Sequence, residues 1–215
     1  MKFSLENNNK VWIFVVLVAA LISFTFINTY PISILDEAKN AEAAREMWAS
    51  GTYWVPKFNG ELRTDKPPLH YYFMVLGFKL FGTTVLGARF FSALMGFITL
   101  LTTFGFARRY FGNAVAQTTL LILVGSFFFM QEFHLAVPDP YLIAFVTLGL
   151  FSFYHFYVTK KYLYLVLFYF FLALGALSKG PIAIALPGLS VGLFILLQKE
   201  LKNTFRYYPI LGLLG

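Results

Sequence analysis

Two acid-bearing dipeptides bracket the longest polar stretch of this chain, Asp36-Glu37 near its start and Asp65-Lys66 near its end. The stretch 34–69 interrupts an otherwise apolar sequence, so both pairs are expected close to a bilayer surface. Carboxylates held there are costly to desolvate and are kept where they have a ligand. Asp36 and Glu37 have two readings. They can cap a helix, and Ser33-x-x-Asp36 fits a capping box. Alternatively they act as a general base or bind a cation. Asp65-Lys66-Pro67-Pro68 sets an acid and a base before a rigid turn. It is either a helix start with a lipid-facing lysine, or a metal-ligating or base carboxylate beside a lysine that holds phosphate as a point charge. His70 follows closely and reads as a ligand or as an interfacial residue.

Further polar groups lie between the later apolar runs. Glu132, His134 and Asp139 share one short segment, with Pro138 and Pro140 fixing the backbone around Asp139. Lys179-Gly180-Pro181 forms another turn. These are either solvated loop charges and a snorkelling lysine, or part of one site in which Lys179 joins Lys66 as an anion-binding group. The chain has 10 Asp plus Glu in all, so the placement of Asp36, Glu37, Asp65, Glu132 and Asp139 on one side is informative.

The elements that must position these residues follow from composition. Of 215 residues, 59% are hydrophobic, 20% aromatic and 13% charged. A soluble domain carries about 25% charged residues, and only lipid can solvate this much apolar surface. The expected fold is an all-α polytopic membrane protein. Six spanning helices are predicted, at about 11–29, 87–107, 114–131, 140–158, 162–178 and 181–198, with two interfacial helices in the first long loop, 30–86. The first interfacial helix, Glu37–Ala49, should place Ala38, Ala41, Ala44 and Trp48 on one face and end at Gly51. The second opens at Pro67-Pro68 and stops at Gly82.

Val11–Thr29 lacks a small-residue cleavage site and reads as an uncleaved helix. Lys2 and Lys10, Arg108-Arg109, Lys160-Lys161, and Lys199, Lys202 and Arg206 all fall on one side, which the positive-inside rule makes cytoplasmic along with the N-terminus. Lys39, Arg45, Lys57, Arg63, Lys66 and Lys79 in loop 30–86 run against that rule. A loop this long weakens it, and the excess can also mean an anionic ligand. The net charge of +7 reports topology and anionic head groups, so no nucleic-acid partner is expected. Without cysteine there is no disulfide and no thiolate metal site. The last apolar segment begins at Tyr207 and is too short to span before Gly215, so the chain reads as the N-terminal part of something longer.

The ordered motifs resemble a known family. Asp36-Glu37-Ala, Arg45-Glu46-Met with Gly51, Tyr53-Trp54, Pro56 and Asn59-Gly60, Asp65-Lys66-Pro67-Pro68-Leu69, Phe81-Gly82 and Ala88-Arg89 come first. Asp139 and Leu177-Ser178-Lys179-Gly180-Pro181 follow in order. Together they are similar to the aminoarabinose lipid A transferases and protein O-mannosyltransferases, membrane glycosyltransferases of the GT-C superfamily. The resemblance implies transfer of a sugar from a polyprenyl-phosphate carrier to a lipid, glycan or protein acceptor at the outer face of the bacterial inner membrane. It implies Asp36 as the catalytic carboxylate, Asp139 as a second acid near the active site and Lys66 as the lysine near the carrier phosphate; beside these, Glu37 and Lys179 are expected to be substrate-binding. It also implies Asp65 as a ligand to a divalent cation, a position where Glu is usual. The alternative is a non-catalytic lipid-binding or transport protein, or an inactive fragment, that keeps the loop as a head-group surface.

Overall fold

The computed structural model describes residues 9–33 and 35–198. Lys2, the cluster Lys199–Arg206 and the apolar segment from Tyr207 lie outside them. The chain runs α1 (Asn9–Phe24), α2 (Asp36–Ser50), a hairpin of β1 (Lys57–Phe58) and β2 (Glu61–Leu62), α3 (Leu69–Phe81), α4 (Val85–Phe111), α5 (Asn113–Val124), α6 (Phe127–Phe133), α7 (Asp139–Thr159), α8 (Tyr162–Lys179) and α9 (Ile182–Leu197).

Among the described residues three helices, α4, α7 and α8, are long and apolar enough to cross a membrane, and the bent pair α5–α6 makes a fourth if counted as one span. α1 and α9 are shorter apolar helices, so length alone does not give the predicted six. Lipid accounts for their outer faces: Ile13, Phe14, Leu17 and Leu21 on α1 and Leu189, Leu193 and Leu197 on α9 are all exposed. The predicted helix at 114–131 is broken by a 66° bend. Gly125 ends α5, and the Ser126 side chain starts α6 by accepting from Phe129 N. The first helix stops at Phe24 rather than near Thr29. The carbonyls of Ile27, Tyr30 and Pro31 beyond it are taken instead by the Arg89 guanidinium.

The main core lies between α1, α4, α6 and α7, around Val15, Phe91, Leu100, Phe104, Phe133 and Tyr141. A second cluster, with Ala43, Ala44, Met47, Tyr71, Met74 and Phe78, seats α2 and α3 against α4. The apolar face of α2 is therefore rotated from the predicted one. Met47 and Ala43 point inward, while Trp48 is partly exposed. Gly51 closes α2 with φ 67°, a conformation that favours glycine. α3 and α4 form a tight hairpin in which a Cβ on Gly77 would stand 2.0 Å from Gly87 O. The hairpin turn between β1 and β2 is Asn59-Gly60, both at positive φ, with Glu46 of α2 accepting from their two N–H groups.

Candidate active site

Every predicted site residue sits at one end of the bundle. Three links define that end: Arg89 at the start of α4 meets Glu37 of α2, Glu37 meets the backbone before α7, and Asp139 at the start of α7 meets Lys179 at the end of α8. The other end is marked by the hydrogen bond between Tyr110 of α4 and His155 of α7.

Asp36 and Glu37 part company although they are adjacent. Glu37 is 2% exposed. Its Oε1 lies 2.6 Å from Arg89 Nε and 2.8 Å from Ala136 N, and its Oε2 accepts from Arg89 Nη2 at 2.8 Å and Ser33 N at 2.6 Å. With both oxygens engaged inside the protein, the expectation of Glu37 as a substrate-binding group gives way to that of an internal lock. Asp36 is the exposed first residue of α2, which has no side-chain cap. The predicted capping box is absent, since the Ser33 N–H goes to Glu37 instead.

The Asp65–Pro68 knuckle feeds α3, with Pro68 as its N-cap. Asp65 is 58% exposed and lies 3.1 Å from Arg63 Nε. Arg63 is itself buried, donating to Tyr71 Oη at 2.9 Å and to Asn40 Oδ1 at 3.1 Å. Burial pushes the Tyr71 hydroxyl above its ordinary range. Arg63 opposes that shift, and Asp65 and Asp36 add to it, so both carboxylates act on this one hydroxyl.

Pro67 packs beside Gly180, and His70 is fully buried with its ring on that of Tyr71. The His70 nitrogens face the backbone of Pro67 and Ser178 without a well-formed hydrogen bond. Desolvation is the largest cause that drops this imidazole to about 3, with the positive charges of Arg63 and Lys66 assisting. His70 is thus a neutral seam between the knuckle and the end of α8, neither exposed nor interfacial. Lys66 is half-buried on that seam. Lys179 forms an ion pair with Asp139, both partly exposed, and Glu132 lies within electrostatic reach of the two. His134 Nε2 donates to the carbonyls of Ile22 and Ser23 at 3.1 Å, holding the segment before α7 to the end of α1.

For the expected divalent cation, Asp65 offers one carboxylate already paired with Arg63. Among the described residues no three His, Cys, Asp or Glu side chains converge. These residues alone do not assemble a metal-ligand set. A groove of about 580 Å³ runs along α2 past Lys39, Phe78 and Val85, away from the Lys66–Lys179 region.

Sequence reasoning missed Arg63, Tyr71, Asn40 and Arg89 as site architecture. Arg63 was counted only among the excess loop cations. Its signal was position, two residues before an acid whose orientation it sets.

Known proteins resemble this chain in sequence and in fold. A family model described as dolichyl-phosphate-mannose-protein mannosyltransferase matches residues 65–214. An uncharacterized protein of Aquifex aeolicus is 38% identical over 176 residues, 80% of this chain and 35% of that protein. An undecaprenyl phosphate-alpha-4-amino-4-deoxy-L-arabinose arabinosyl transferase of Edwardsiella ictaluri is 32% identical over 180 residues, 81% of this chain and 33% of the relative. The crystal structure of ArnT from Cupriavidus metallidurans bound to undecaprenyl phosphate superposes with a TM-score of 0.87 at 26% identity, over 96% of this chain and 39% of that one. The chain spans about a third of the length of the curated relatives. With the family model taking in well over half of its residues, this membrane protein belongs to the dolichyl-phosphate-mannose-protein mannosyltransferase family.

Proposed function

We propose that this chain forms the N-terminal part of a GT-C transmembrane domain. That domain moves a hexosyl or pentosyl group from a polyprenyl-phosphate carrier to a lipid, glycan or protein acceptor. The observation that carries the reading is the packing of Pro67 against Gly180 and of His70 between Pro67 and Ser178. It gathers Lys66 and Lys179 at the bundle end that also holds Asp36, Asp65 and Asp139. The solved neighbour with undecaprenyl phosphate bound supports the ligand class. The N-terminus is proposed to be cytoplasmic and the site outward, at the bacterial inner membrane.

The chemistry asked of these residues is limited. The acceptor oxygen attacks the anomeric carbon, the bond from that carbon to the phosphate oxygen breaks, and the acceptor proton passes to a carboxylate. The leaving polyprenyl phosphate is already an anion, so it needs charge neutralisation more than a proton. Lys66 supplies that, and Lys179, paired with Asp139, adds a second cation at the same bundle end. Asp36 is the exposed carboxylate left for the proton, and the carrier's chain remains in lipid.

Asp36→Asn tests the base, with insertion followed alongside transfer from undecaprenyl-phosphate-linked sugar. Loss of transfer with normal insertion is expected, and normal turnover would remove Asp36 from the chemistry. Lys66→Ala should weaken undecaprenyl phosphate by about 1.5–3 kcal/mol, the scale of a hydrogen bond to a charged group. Generic anionic lipid should lose only about 1 kcal/mol. Equal losses for both ligands would favour a head-group surface.

A further inference from the structure

We infer that Arg63 is a positioning residue, a clasp that fixes the Asp65-Lys66 knuckle relative to the helix carrying Asp36. The inference rests on the proposed carrier-phosphate site, but its geometry stands apart from it. The Arg63 side chain is 8% exposed and reaches three elements at once. It meets the Tyr71 hydroxyl on α3 at 2.9 Å, Asn40 Oδ1 on α2 at 3.1 Å, and Asp65 Oδ1 on the linker at 3.1 Å. Tyr71 Oη closes the triangle by donating to Asn40 Oδ1 at 3.3 Å. The Arg63 backbone N–H is spent on Pro56 O at 2.9 Å, which anchors the clasp to the loop leading into the β1–β2 hairpin.

Asn40 shows how strictly this arrangement is kept. It is fully buried, and both neighbours give hydrogens to its oxygen, so the amide must turn Oδ1 toward them. Its Nδ2 is then left without a partner. Buried polar groups are rarely left unmet, and here the oxygen's two contacts decide the orientation against the nitrogen. A cation lodged this deep is poorly placed to receive a carrier phosphate itself. Its planar fork suits several simultaneous acceptors, which a lysine ammonium on a flexible stem cannot match. The Tyr71 hydroxyl senses both Asp65 and Asp36, so the clasp lies within electrostatic reach of the two carboxylates whose spacing the proposed reaction needs.

The test uses the cysteine-free chain in nanodiscs, with spin labels at Lys39→Cys on α2 and Tyr72→Cys on α3, both partly or fully exposed. The label-to-label distance distribution and the affinity for undecaprenyl phosphate per folded molecule are measured together. Arg63→Lys should broaden the distribution and weaken undecaprenyl phosphate about tenfold. Lys66→Ala should weaken it with the distribution unchanged. If Arg63→Lys lowers affinity while the distribution stays narrow, Arg63 is a direct ligand and the clasp is wrong. An unchanged affinity per folded molecule would make Arg63 merely structural and would equally overturn the positioning role. A Lys66→Ala protein with full affinity, beside an Arg63→Lys protein that loses it, would sink the Lys66 phosphate site and leave the clasp standing. Should Arg63→Lys fail to fold, Tyr71→Phe removes only one hydroxyl and should give a smaller broadening and a two- to fivefold loss. No change in either readout would refute the proposal.

Discussion

Removing one side of the Glu37–Arg89 pair should cost this fold more than any exposed charge change. Glu37 is 2% exposed and Arg89 3%, so neither charge retains its water. The Arg89 guanidinium meets both Glu37 oxygens and the carbonyls of Ile27, Tyr30 and Pro31. Arg89→Met strips all of these at once. Breaking a buried pair from one side costs about 3–5 kcal/mol, because the surviving charge stays buried and unpaired. The three abandoned carbonyls share that relaxation, so their losses do not simply add. Equilibrium unfolding in mixed detergent micelles measures the loss. Arg45→Met serves as an internal control, since Arg45 and Glu42 form an i,i+3 pair that is 51% and 33% exposed. Such a pair contributes little, because water and salt screen it and its side chains lose freedom to form it. The double variant Glu37→Leu/Arg89→Met should regain part of the single-variant loss, because an apolar pair leaves no bare charge. It should not regain all of it, since Ser33 N and Ala136 N lose their acceptor. A loss at Arg89→Met no greater than at Arg45→Met would refute the lock.

Three further outcomes are expected. With the N-terminus inside, Leu62→Cys should react with an impermeant thiol reagent added to intact cells, and Lys161→Cys only after lysis. The reverse pattern would invert the proposed topology. His70 is neutral when folded and drops to about 3, below its ordinary value near 6.5, so its stabilising contribution is complete above about pH 6.5. That contribution is lost as the pH falls from there toward 3, because the unfolded chain takes up the proton first, with a slope approaching about 1.4 kcal/mol per pH unit. His70→Phe should flatten the part of the acid-side slope that belongs to this ring, and an unaltered slope would exclude it. Gly87→Ala would set a Cβ 2.5 Å from Gly82 O. Overpacking of this kind costs about 1–3 kcal/mol, and detergent unfolding indistinguishable from the parent would contradict the tight α3–α4 crossing.

Much of the helical plan was legible because lipid simplifies the code. Apolar length set the positions of α4, α7 and α8, and Gly51, Pro67-Pro68 and Gly82 punctuated the loop where the two interfacial helices end and begin. The break at Gly125-Ser126 was hidden because both sides are equally apolar, and hydropathy does not register direction. The β1–β2 hairpin was overlooked although Asn59-Gly60 is a strong turn signal. Its strands are two residues each, too short for an alternating pattern to show. The rotation of α2 was misjudged because buried polar residues, Glu37 and Asn40, form part of its inner face. A periodicity argument that counts only apolar residues assigns those to solvent.

Asp36 and Glu37 carry the sharpest form of that difficulty. They are the same kind of group, one residue apart, and only the family resemblance, not their chemistry or spacing, told them apart in the sequence. Successive residues of a helix point about 100° apart, so seating Glu37 toward α4 forces Asp36 to look elsewhere. What selects Glu37 for the interior is a partner 52 positions away, Arg89, together with the N–H of Ala136. The long-range pair thus decides a local question. By taking one carboxylate into the scaffold, it leaves the other free at the surface, on the first turn of a helix whose register is locked. A carboxylate proposed to accept a proton needs that combination of a fixed backbone and an unspent side chain. The lock and the base are therefore predicted to fail differently. Arg89→Met should lower stability and transfer together, whereas Asp36→Asn should remove transfer from a protein that unfolds at the same detergent fraction as the parent. Matching stability losses in both variants would deny Asp36 its separate role.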